Sequence, residues 1–337
     1  MASYGKVERQ RQAHFRAESN FITMEEARHP TDDKGLRHGH LLAQGYEEQN
    51  LCPSLRGSSG AVKFFADRQI VWWRNSRSGD VAHGTGPTRN LASSQIACVN
   101  FLMPLIKNPE ALTAILQAID KDIGEVLQIS HNDRQSPVEF EWTGVGKSLE
   151  GGRGTRGANT TSTDAFMLGV TDKGVRRAYL FEWKYVEEYR IGEDKGAGKS
   201  GETRRKRYKA IYRASDSSFN GIPPMDELFF EPIYQLLRLR LLADKMIREH
   251  QFGVIEARVV VVCPRGNSAY RNRITSPPLS SRFPDARTIA ELLPSLLRDP
   301  QGIVLKSQED LIAGIRKRPV ADAVKPWRKY HEERYGL

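Results

Sequence analysis

Apolar residues recur at three- and four-residue steps through "SSQIACVNFLMPLIKNPEALTAILQAI", which begins at Ser93, and the rhythm breaks at Pro104 and again at Asn108-Pro109. Two helices joined near Pro109 are predicted. "SPVEFEW" then alternates, with Val138, Phe140 and Trp142 on one face and Glu139 and Glu141 on the other, the pattern of a strand. Two apolar runs, "TDAFMLGVT" and "VRRAYLFEWKY", flank Asp172-Lys173-Gly174 and read as a hairpin. "EPIYQLLRLRLLADKMIREH" is a helix with Pro232 in its first turn. "ARVVVVCP" is continuously apolar, which suits a central strand covered on both faces. Between about Ser93 and Pro264 the order is therefore helix, strand, strand, strand, helix, strand, a mixed α/β core.

The stretches between these elements are polar. Residues 1–60, with "RHPTDDKG" and "RGSSG", read as a partly irregular N-terminal arm carrying one short helix, and residues 61–337 as one domain with its core at about 93–265. "RNSRSGDVAHGTGPTRN" and the glycine-rich "GVGKSLEGGRGTRGANTT" have loop composition, the second that of a mobile loop. Residues 190–222 form a long basic insertion, and "PWRKYHEERY" near the C-terminus reads as a packed helix. No internal repeat is present.

Composition narrows the class. At 337 residues with 39% hydrophobic and 27% charged residues, the chain is a globular protein able to bury a sizeable core. Fifty-one Lys+Arg against 41 Asp+Glu give a formal charge of +10, which favours a polyanionic partner such as nucleic acid. Cys52, Cys98 and Cys263 are far apart and make no CxxC pair, so neither a disulfide framework nor a zinc knuckle is expected, and the cytoplasm is the natural setting. The polar N-terminus lacks the apolar core of a signal peptide, and no run approaches the roughly 20 apolar residues of a membrane span.

The hairpin carries charges where apolar strands do not want them: Asp164, Glu182 and Lys184. If Asp172-Lys173-Gly174 is a three-residue loop with Gly174 left-handed, Thr171 pairs with Val175, and Asp164 falls opposite Glu182. Cross-strand partners share a face, and Lys184, two residues further on, points to the same one. Two adjacent carboxylates repel unless a proton or cation lies between them. Mg²⁺, with Mn²⁺ as a substitute, is the economical cation, because it prefers oxygen ligands and is commonly held by one or two carboxylates plus a substrate phosphate. An ammonium beside it stabilises developing charge or positions the attacking water. The bland alternative is an exposed ion-pair ladder.

Asp164 followed by Glu182-Trp183-Lys184 resembles the PD-(D/E)XK nuclease superfamily of restriction and repair nucleases. The phrases "SSQIACVNF", "VEFEW", "TDAF", "FEWKY" and "ERYG" resemble a bacterial group of restriction-endonuclease-like proteins. The resemblance implies an αβββαβ core with a mixed central sheet flanked by helices, and a metal-dependent DNA endonuclease serving defence or repair. It implies Asp164 and Glu182 as metal ligands and Lys184 as the catalytic lysine, and allows a further acid from the first strand, for which Glu141 is chosen over Glu139. Thr163 stands where the motif name has proline, a position that varies in the superfamily. The alternative is a nucleic-acid-binding protein that keeps the fold without cutting. Two cuts in a duplex need two sites or two events, so a homodimer is also an expectation.

Other features are weighed beside the hairpin. Gln235, in the first turns of its helix, is placed to bond the lysine or the substrate, against the usual idle surface glutamine. "RRKRYKAIYR" interleaves cations with Tyr208 and Tyr212; Arg204, Arg205, Lys206, Arg207, Lys209 and Arg213 are expected to contact DNA phosphates from a loop, and the tyrosines either stack on bases or pack inward. "GEDKGAGKSGE" fails as a phosphate-binding loop, since Glu193 stands where glycine is required. The histidines show no metal-ligand spacing.

Overall fold

The structure, a computed structural model, describes residues 2–73, 83–151, 160–316 and 318–337. Much of the two glycine- and serine-rich stretches, at 74–82 and 152–159, lies outside the described residues, and with it the expectation of a mobile loop.

A mixed sheet organises the molecule. Its strands are β1 (Ile123–Leu127), β2 (Glu139–Trp142), β3 (Thr163–Thr171), β4 (Arg176–Trp183), β5 (Glu256–Val262) and β6 (Ile303–Lys306). They lie in the order β6-β5-β4-β3-β1, with β2 also paired to β3. β3 is antiparallel to β1, β2 and β4, whereas β4, β5 and β6 run parallel. The first strand position is thus shared: β1 pairs with the Leu168–Thr171 half of β3 and β2 with its Thr163–Phe166 half, and a small hairpin fills the gap between them. The sequence pattern reveals β2 but neither β1 nor β6, whose runs are four or five residues long.

The helices that bear on the site and the core are α1 (Tyr4–Glu18), α2 (Ser94–Leu102), α3 (Pro109–Gln117), α4 (Gly198–Tyr212), α5 (Ile233–Arg248) and α6 (Lys325–Tyr335). α2 starts at Ser93, whose hydroxyl accepts from the Ile96 N–H, and α3 starts with Pro109 at its first position. α5 follows Pro232 and buries Leu236, Leu237, Leu241 and Leu242. The αβββαβ order is present, extended by β6 and by helices on both sides.

Alternation along the strands separates two cores. Ala165, Met167, Tyr179, Phe181, Trp183, Val260 and Val262 pack on the side of α2 and α3. Phe166, Leu168, Ala178, Leu180, Val259 and Val261 pack on the side of α5. Glu141 breaks the alternation of β2 with a left-handed φ of 48°. Phe140 consequently lies in the first cluster, while Trp142 turns into the second and stacks on Phe166 at 5.2 Å. The expectation that Val138, Phe140 and Trp142 share a face is corrected at that residue.

Residues 1–60 are less irregular than expected, because α1 alone spans 15 residues. Phe15, Ile22, Leu42, Leu51 and Leu55 join the first core, and Glu8 and Gln12 on α1 are buried against the Tyr185 hydroxyl. The packed C-terminal helix is α6, with Trp327, Tyr330 and Tyr335 inside. All three cysteines are free and buried. No helix among the described residues is long and apolar enough to cross a membrane.

Candidate active site

The hairpin between β3 and β4 fixes the site. Gly174 adopts φ 79°, its N–H donates to the Thr171 carbonyl, and Thr171 N–H donates to Val175, so the loop has three residues. The register that follows, from Val170 opposite Arg176 to Ala165 opposite Phe181, sets Asp164 across from Glu182. On the other edge of β3, Phe140 pairs with Ala165 and Trp142 with Thr163, which places Glu141 across from Asp164. The three carboxylates therefore lie side by side on three adjacent strands, with the Cβ atoms of a regular cross-strand pair such as Asp164 and Glu182 about 4.5–5.5 Å apart.

Each acid is held by its own donors. Asp164 Oδ2 accepts from the Trp183 N–H at 2.6 Å, and Oδ1 has no donor among the described residues. Glu182 Oε1 accepts from Lys184 Nζ at 2.6 Å. Lys184 Nζ also donates to Gln235 Oε1 at 2.8 Å and contacts the Tyr189 hydroxyl at 3.2 Å. Gln235 thus bonds the lysine, and its helix α5 is the element that seats the ammonium. Glu141 Oε1 accepts from Gln95 Nε2 at 2.8 Å and Trp73 Nε1 at 3.0 Å, and Oε2 from Ser162 at 3.1 Å. Glu139 lies elsewhere, buried and paired with Arg68 at 3.0 Å, so neither acid of β2 faces solvent.

The electrostatics match this crowding. Burial first, then the charges of Glu182 and Glu141, push the Asp164 carboxyl well above the ordinary carboxylate range. Burial also raises Glu141, against the pull of its three donors. Burial would lower the Lys184 ammonium, but Glu182, with Tyr189, Tyr270 and Glu187 adding to it, outweighs burial and holds the charge on. Glu182, Lys184 and Glu141 are each at most 5% exposed, whereas Asp164 keeps a partial opening to solvent. Glu231, at the foot of α5, is a further half-buried acid nearby; its carboxylate accepts from the Gln235 N–H, and partial burial raises it. A cavity of about 490 Å³ is lined by Arg9, Ser93, Ser94, Val186 and Trp73, the last of which bonds Glu141.

As they stand, no three His, Cys, Asp or Glu side chains among the described residues converge into a formed metal cage. The donor set nevertheless fits a hard divalent cation. Three carboxylates share one ammonium, Lys184, already bonded to Glu182, and the like charges that raise Asp164 are what a cation would relieve.

Sequence reasoning misses Trp73, Gln95, Ser162, Tyr189 and Glu231. Of these, only Gln95 lies within one of the phrases that carry the family resemblance, "SSQIACVNF". Thr163, at the motif's variable position, is buried, and its hydroxyl donates to the Phe181 carbonyl at 2.6 Å, tying β3 to β4 beside the row.

The basic run is not a loop. Glu202 to Tyr212 contains no glycine or proline and is rich in good helix formers, and it folds as the greater part of α4. Tyr208 and Tyr212, four residues apart, share the inner face: Tyr208 donates to Glu150 and Tyr212 to the Pro223 carbonyl. Both tyrosines pack inward, which excludes them from base stacking. Lys206, Arg207, Lys209 and Arg213 are exposed; Arg205 is paired with Asp226 at 2.7 Å. Arg204 lies over the Tyr234 ring, which packs α4 against α5, the helix that also carries Gln235.

No curated protein and no solved structure matches the chain. A family model described as "Restriction Endonuclease associating with ARP" matches residues 9–336. With nearly every residue inside that match, on a restriction-endonuclease-like αβββαβ sheet, the chain belongs to the family of restriction endonucleases associating with ARP.

Proposed function

We propose that this protein is a Mg²⁺-dependent endonuclease that hydrolyses DNA phosphodiester bonds at the Glu141–Asp164–Glu182 row. The observation that carries the reading is the register of β2, β3 and β4, which sets the part-exposed Asp164 between the buried Glu141 and Glu182 and beside the Lys184 ammonium. Asp164, Glu182 and Glu141 would hold the ion, and when bound it would polarise a phosphate oxygen and lower the pKa of a bound water.

The chain's own residues set up the rest. Asp164 offers the free Oδ1 and the partial opening to solvent, so it is the point of entry. Gln95, Trp73 and Ser162 orient Glu141 through both oxygens. Gln235 and Tyr189 keep the Lys184 ammonium in place when Glu182 turns away from it, leaving Lys184 to orient the attacking water or stabilise charge on the phosphate. The exposed cations of α4 would contact flanking phosphates.

Supercoiled plasmid and linear duplex, incubated with the protein in Mg²⁺ or in chelator, test the activity. Cutting in Mg²⁺ alone is expected. Binding without cutting under Mg²⁺ and Mn²⁺ would favour the non-catalytic nucleic-acid-binding alternative.

A further inference from the structure

A second cavity, of about 380 Å³, opens at the far end of α4. Lys209 and Arg213 reach it from the helix, Arg298 from the segment after residue 297, and Arg205 from beside its partner Asp226. Four cations thus face one carboxylate. The helix C-terminus adds roughly half a negative charge, which still leaves about two and a half positive charges in excess. Among the described residues, Lys209 and Arg213 have no acidic partner, and Arg298 spends only its Nε, on the Phe219 carbonyl at 3.2 Å. Cations gathered without partners around a cavity are an anion site in search of its anion.

The remaining wall is apolar. Pro223, Pro224 and Met225 line it, and the Tyr212 hydroxyl pins this loop by donating to the Pro223 carbonyl at 2.7 Å. A bare phosphate would leave that surface wet. The volume lies in the range of small-ligand pockets. None of Glu141, Asp164, Glu182 or Lys184 lines this cavity, so it is separate from the acid row.

We propose that this cavity is a nucleotide-binding site, in which Lys209, Arg213 and Arg298 hold the phosphate and Pro223, Pro224 and Met225 cover the base. The nucleotide is either free or a unit of the bound DNA strand; the shared chemistry is a phosphate ester joined to a planar, largely apolar ring. Arg298 is the residue that no motif in the sequence announces, since it lies 85 residues after Arg213.

Calorimetry or amide chemical shifts, in chelator and low salt, test the site with inorganic phosphate, a nucleoside 5′-monophosphate and a short duplex. The monophosphate is expected to bind at least about tenfold more tightly than phosphate. Arg213→Ser and Arg298→Ala are each expected to weaken it by about tenfold or more, while Asp164→Asn leaves it unchanged. Arg298→Ala also removes the hydrogen bond to Phe219, so Arg213→Ser, at an exposed position, decides the matter if that variant folds poorly. Displacement of the monophosphate by duplex assigns the site to the DNA strand, and simultaneous binding assigns it to a free nucleotide; both uphold the site. Equal affinity for phosphate and monophosphate, or an affinity that Arg213→Ser does not change, overturns it. Failure of Mg²⁺-dependent cutting bears on the acid row alone, because binding here is read without cleavage.

Discussion

Replacing Lys184 by methionine tests how the acid row is held. The ammonium is 4% exposed and bonded to Glu182 at 2.6 Å, to Gln235 at 2.8 Å and to Tyr189 at 3.2 Å. Methionine keeps most of the volume but leaves the Glu182 carboxylate buried without its cation, beside Asp164 and Glu141. Breaking one side of a buried pair in this way costs about 3–5 kcal/mol. For a chain of 337 residues the unfolding entropy near the midpoint is about 0.7 kcal/mol/K, so the metal-free Tm should fall by about 4–7 °C. The sign is insensitive to ordinary pH: a lysine whose pKa is raised on folding contributes fully below its ordinary value and loses the contribution only in strong alkali. Adding Glu182→Gln to Lys184→Met should recover much of the loss, since both partners are then neutral. Denaturant unfolding with chelator, run as a double-mutant cycle, is the assay. A loss below about 1 kcal/mol for Lys184→Met, or simple additivity in the cycle, would refute the coupling of the pair.

Three further outcomes follow from the same geometry. Because burial and its neighbours raise Asp164 and Glu141, these two groups retain protons in the folded metal-free protein that the unfolded chain releases; their contribution to stability should fall as pH rises above the ordinary carboxylate range, so Asp164→Asn should stabilise the metal-free protein more at neutral than at acid pH in thermal scans. Gln95→Leu removes one donor to Glu141, an interaction of about 1.5–3 kcal/mol with the ionised form, and should move Mg²⁺ binding to higher pH in a calorimetric titration. Lys206, Arg207 and Lys209 changed together to serine should weaken duplex binding irrespective of sequence, and should reduce the salt slope by about 0.9 for each phosphate no longer neutralised.

What the sequence discloses and what it hides differ in range. The Asp164–Glu182 apposition is legible because a three-residue loop ending in Gly174 dictates every pair on the hairpin. The position of Gln235 follows from an amphipathic helix with a clear start. By contrast, the donors to Glu141 come from Trp73 and Gln95, 68 and 46 residues away, and no local pattern announces bonds at that distance. The left-handed turn at Glu141 also hides the facing of β2, since alternation assumes an unbroken strand. Helix α1 is longer than its pattern suggests because its buried residues include Glu8 and Gln12, polar side chains satisfied by Tyr185 and by the Arg334 carbonyl. The basic run reads as a loop on the strength of the glycines around it, although the two tyrosines four apart mark a helix face.

Single-turnover cleavage of a labelled duplex in saturating Mg²⁺, comparing the unaltered protein with Asp164→Asn, tests the central claim most directly. If the row across β2, β3 and β4 is the catalytic centre, the variant should bind the duplex normally in chelator and cut it about 10²–10³-fold more slowly. Cutting at an undiminished rate would contradict the assignment of the site.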